Sequence, residues 1–66
     1  MAEIPLAPLE RLMKKNGAER VSMSACEELR DVLEEVTADV TRKAIKLAEH
    51  ANRKTVTRED IKLARL

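Results

Sequence analysis

The chain is 66 residues long, with 38% charged residues, a net charge of +1, one cysteine, one histidine and no Phe, Tyr or Trp. A chain of this size makes one domain that buries only a modest share of its surface when alone. Lone Cys26 and a lone histidine exclude an intramolecular disulfide and a structural zinc site, which leaves oligomerisation as the aid to folding.

The first predicted helix covers about residues 5–15. Pro5 and Pro8 suit a first turn, Leu6, Leu9, Leu12 and Met13 form the apolar set, and Asn16-Gly17 stops it. Gly17 is read as the carboxy-terminal cap, a position that needs a positive φ. Bases dominate residues 11–20, with Arg11, Lys14, Lys15 and Arg20 against Glu19; Arg11 and Lys14 share one helical face.

The second predicted helix, about 22–51, starts at Ser22 or Ser24, either of which suits an N-cap, and Ser24-Ala-Cys-Glu27 fits a capping box. No Gly or Pro interrupts it. Ala25, Leu29, Val32, Leu33, Val36, Val40, Ala44, Leu47, Ala48 and Ala51 recur mostly three or four apart, a single apolar stripe. Six acids (Glu27, Glu28, Asp31, Glu34, Glu35, Asp39) stand against Arg30 over residues 22–39, and the sign reverses from Arg42 onward. The third helix, about 57–65, opens at Thr57-Arg58-Glu59-Asp60, another capping-box pattern, and carries Ile61, Leu63 and Ala64.

A helix of about 28 residues spans roughly 40 Å, and each flanking helix only about 15 Å. Two short helices cannot cover the whole stripe, so a second copy is expected. Two long helices crossing antiparallel would bury Leu29, Val32, Leu33, Val36, Val40 and Ala44 as a dimer core, and each first loop would lie beside the partner's second loop. An enzyme is not expected. There is no glycine-rich phosphate loop and no nucleophile beside an oriented base, and the carboxylates fall on solvent faces. Nor is a cofactor, a small-molecule substrate or a membrane partner expected, since no apolar run approaches the roughly 20 residues that span a bilayer and no signal-peptide pattern opens the chain.

Three stretches resemble the archaeal histones, and the resemblance covers nearly the whole chain. They are Ile4-Pro-Leu-Ala-Pro-Leu9-Glu-Arg11, Gly17-Ala-Glu-Arg20-Val-Ser22, and His50-Ala-Asn-Arg53-Lys54-Thr55-Val-Thr-Arg-Glu-Asp60-Ile61. What the resemblance implies is an all-α histone fold, paired as an antiparallel handshake dimer of itself or with a histone paralogue. It implies double-stranded DNA as partner, wrapped without base readout in nucleosome-like assemblies on the chromosome in the cytoplasm. Lys, Arg, hydroxyls and helix amino termini suit phosphates. The DNA-binding residues carried over are Arg11, Lys14, Arg20, Arg53, Lys54 and Thr55, with Arg20 in the minor groove. Arg53 and Asp60 would form a salt bridge that braces the second loop. Leu47, His50 and Asp60 would form the contact between dimers, and bare Gly17 would let superhelical turns approach. Arg42, Lys43, Lys46, Lys62 and Arg65 are read as solvated charges. The alternative is a histone-fold interaction subunit of a transcription or repair complex.

The chain departs from the family pattern in three places. Asn52 stands where many relatives have glycine, and asparagine tolerates the left-handed conformation. Cys26 is expected to be a half-exposed, unreactive thiol. The chain stops at Leu66, where relatives often continue for a few residues, so a short third helix is expected.

Overall fold

A computed structural model describes residues 2–65. It contains α1 (Leu6–Lys15), α2 (Met23–His50) and α3 (Arg58–Ala64), with no strand among the described residues. By backbone proximity the chain groups into a first unit ending at Glu35 and a second beginning at Val36, and α2 contributes to both.

In the first unit, Pro5 is the extended N-cap of α1 rather than its first residue. The helix closes on a Schellman motif: the Gly17 N–H donates to the Lys14 carbonyl and the Ala18 N–H to the Met13 carbonyl, each at 3.1 Å. Gly17 sits at φ +112°, and an added Cβ would meet no atom within 4 Å, so the demand for glycine is conformational rather than steric. Gly17→Ala is accordingly expected to cost about 1 kcal/mol, read from the urea midpoint at fixed protein concentration. Ser22, not Ser24, caps α2: its Oγ accepts the Ala25 N–H at 3.1 Å, and its carbonyl accepts Cys26 N–H. Ser24 lies inside the helix, so the pattern from Ser24 to Glu27 is not used as a capping box.

Leu9 and Cys26 are buried in this unit. Leu6, Ala7, Glu10 and Met23 line a hollow beside the thiol. Cys26 is 2% exposed, which corrects the half-exposed expectation: its position shares the inner side of α2 that meets α1. Glu34 holds the segment before α1, accepting the N–H groups of Glu3 and Ile4 on Oε2. Those two bonds, the first foremost, lower the pKa of its carboxyl. Glu34 is therefore not a purely solvated acid.

In the second unit, α2 ends on another Schellman motif, with Asn52 N–H donating to Glu49 carbonyl and Arg53 N–H to Ala48 carbonyl, each at 2.9 Å. Asn52 has φ 58°, the left-handed conformation that asparagine tolerates best after glycine. Thr57 caps α3 through a full capping box with Asp60. Ala44, Ala48 and Ala64 are buried here.

The interior is thin, since no large side chain among the described residues is fully buried. Of the stripe on α2, Ala44 is buried, Leu29, Leu33 and Val40 are half-buried, and Val32 and Val36 remain 43% and 53% exposed. A single chain thus leaves open the apolar side chains that its longest helix places in sequence at helical spacing.

Candidate nucleic-acid interface

The loop between α2 and α3 is built around one buried carboxylate. Asp60 is 3% exposed and sits at the third position of α3. Its Oδ2 accepts the Thr57 N–H at 2.9 Å, which closes the capping box. The same carboxylate receives Arg53 in a fork, Nη1 to Oδ2 and Nη2 to Oδ1, both at 2.9 Å. Arg53 Nη1 also donates to the Thr55 carbonyl at 3.0 Å, so one guanidinium ties the start of the loop to its middle and to α3. The guanidinium beside it, and then the Thr57 N–H, hold the Asp60 carboxyl far below the usual carboxylate range. Arg53 is correspondingly raised, first by its hydrogen bonds to Asp60.

This geometry divides the work within the loop. The donors of Arg53 are largely committed inside the chain, and the side chain is 38% exposed. Lys54 and Thr55 stand exposed beside it, and Lys54 makes no ion pair among the described residues. Fixing their backbone through Arg53 lowers the entropy lost when they take up an anion.

In the first unit, Arg11, Lys14 and Arg20 are all exposed. Lys14 lies 3.6 Å from Glu10 one turn earlier, an exposed pair that water and salt weaken readily. Arg20 stands in the segment between α1 and α2, two residues before the Ser22 cap, and makes no ion pair among the described residues. Arg11 and Lys14 are thus carried by a helix, and Arg20 by a segment bounded by the Gly17 and Ser22 caps.

Leu47 and His50 line a second hollow, of about 390 Å³, together with Lys43, Lys46, Leu63 and Ala64. Asp60 does not line it, since its carboxylate is engaged by Arg53 and Thr57. Lys43 and Lys46, read from the sequence as solvated charges, belong to the same helical face as Leu47 and His50. The spacing 43, 46, 47, 50 carried that signal. No group of three or more His, Cys, Asp or Glu among the described residues is placed to hold a metal ion, and no helix among them is long and apolar enough to cross a membrane.

The family described as histone-like transcription factor (CBF/NF-Y) and archaeal histone matches residues 2–64. The chain belongs to that family. It is 53% identical over 64 residues to a subunit of the archaeal histone HAN1 from Thermococcus zilligii, covering 97% of this chain and 96% of the relative. With probable archaeal histone 3 of Methanocaldococcus jannaschii it shares 50% identity over 64 residues, with the same coverage. The three helices are therefore those of a histone fold, the short–long–short order expected from the sequence. In this histone the fold carries the open apolar side chains of α2 and the second loop braced by Arg53 and Asp60.

Proposed function

We propose that this histone pairs with a second histone chain through α2, binds double-stranded DNA without reading its sequence, and wraps it in nucleosome-like assemblies on the chromosome. The observation that carries the reading is the second loop, in which the Arg53–Asp60 fork fixes the backbone and leaves Lys54 and Thr55 free for phosphate. Arg20, Arg11 and Lys14 supply the remaining cationic contacts, and Arg20 is assigned to the minor groove. Pairing rests on the exposure of Val32 and Val36 in the single chain. Two copies of this chain, or this chain and a paralogue, satisfy that requirement equally.

Binding measured against salt tests the proposal. Each phosphate neutralised contributes roughly 0.9 to the slope of log K against log salt. Lys54→Ala and Arg20→Ala are each expected to flatten the slope by about one unit and to weaken binding to unrelated duplexes alike. Loss confined to one duplex sequence would contradict phosphate-based binding. Unchanged affinity in both variants would favour a histone-fold module that works through protein contacts, a reading the transcription-factor branch of the family keeps open. Leu47→Glu is expected to leave dimers and their DNA binding intact but to stop dimers joining on long DNA, as seen by loss of the larger complexes in gel shifts.

A further inference from the structure

The hollow at the end of α2 has an apolar floor and a polar rim that carries two lysines. Leu47, Ala64 and the half-exposed Leu63 form the floor, and Lys43, Lys46 and His50 stand around it. The acids nearby do not cancel the rim. Asp39 is shared between Lys43 at 3.2 Å and Arg42 at 3.8 Å, in exposed pairs of small energy. Lys46 has no ion pair among the described residues, although it borders a neighbouring hollow with Glu49 and His50. On α3, Glu59 is 4.0 Å from Lys62, Asp60 is occupied by Arg53, and exposed Arg65 follows the helix. Beside the hollow, Arg42, Lys43 and Lys46 stand against Glu49 over residues 42–50, and Arg58, Lys62 and Arg65 against Glu59 and Asp60 over residues 58–65.

The consequence follows from symmetry. When a face meets a second copy of itself about a two-fold axis, residue i meets j and j meets i, so a rim rich in lysine faces a copy of the same rim. The floor gains by this, but Lys43 and Lys46 of one copy then crowd those of the other in a partly dehydrated seam, where like charges disfavour the pairing. We infer that this face prefers another histone-fold dimer bearing acids opposite Lys43 and Lys46 to a second copy of itself. The inference deepens the proposed function by naming the partner at the contact between dimers, and rests on that reading.

A charge-swapped form of this chain is the probe. In the absence of DNA and at low ionic strength, wild type alone and Lys43→Glu/Lys46→Glu alone are expected to remain dimers in sedimentation and native mass spectrometry. Their equimolar mixture is expected to form species of four or more chains, at least about tenfold more tightly than wild type with itself. That advantage should shrink as the screening length falls from about 30 Å at 0.01 M salt to about 3 Å at 1 M. Leu47→Glu in both chains should abolish it. If the double variant fails to fold, Lys46→Gln alone should raise self-association at low salt relative to wild type. Wild type that assembles with itself as tightly as the mixture does, or a mixture that stays dimeric, would overturn the inference. Nuclease protection of long DNA by wild type reads the parent proposal separately, so regular protection without this charge preference would sink only the partner assignment.

Discussion

Val36→Asp is expected to abolish cooperative folding at concentrations where the wild-type chain is folded. Val36 is 53% exposed in the single chain, so by itself the substitution would replace one surface side chain with another. Paired through α2, the same position lies in a closed seam, where an unpaired carboxylate costs several kcal/mol. A domain this small has little stability in reserve, so loss of pairing and loss of folding should coincide. Circular dichroism against concentration reads both: the wild-type midpoint rises with concentration, and the variant loses helix throughout. Val36→Ile should behave like wild type. A Val36→Asp chain that melts like wild type and independently of concentration would show that α2 does not pair there.

Asp60→Asn is expected to damage stability and DNA binding together. The carboxylate closes the α3 capping box and receives both ends of the Arg53 fork. Asparagine offers one carbonyl oxygen in place of two charged acceptors, so the fork is lost, and the loop carrying Lys54 and Thr55 loosens. The thermal midpoint should fall by at least several degrees at fixed protein concentration. The pH dependence has a definite sign. The folded carboxyl lies below its ordinary value of 3.8, so its contribution is fully present above that value and is lost as pH falls below it. Asp60→Asn should therefore flatten the acid limb of the stability curve. Glu34, lowered in the same direction, should leave a residual slope. Arg53→Lys, which keeps the charge but not the fork, should resemble Asp60→Asn in stability.

Local features of this fold were the most legible in the sequence. Asn16-Gly17 and Thr57 with Asp60 announce their caps because each motif closes within a few residues. The end of α2 at Asn52 follows the same rule, with asparagine supplying the left-handed residue. The stripe from Leu29 to Ala44 was readable because helical periodicity is a property of the sequence itself. Ser22 and Ser24 are not separable in the sequence, since both precede an apolar repeat at capping distance; the bonds from Ala25 N–H and Cys26 N–H to Ser22 distinguish them. Glu34 had no signature at all, because its partners are backbone N–H groups some thirty residues away. The burial of Cys26 has no signature for a related reason: it depends on where α1 lies, which periodicity on α2 alone does not specify. In the second loop, the sequence groups Arg53, Lys54 and Thr55 together. The structure separates them by role, because one guanidinium has few donors left once Asp60 and the Thr55 carbonyl are satisfied.

Nuclease digestion of long mixed-sequence DNA saturated with the pure protein tests wrapping most directly. Protected fragments in a ladder of regular steps are the expected result, each step marking one more dimer added along the DNA. Absence of protection at moderate salt, with the protein folded and dimeric, would contradict DNA wrapping and leave the histone fold serving protein contacts instead.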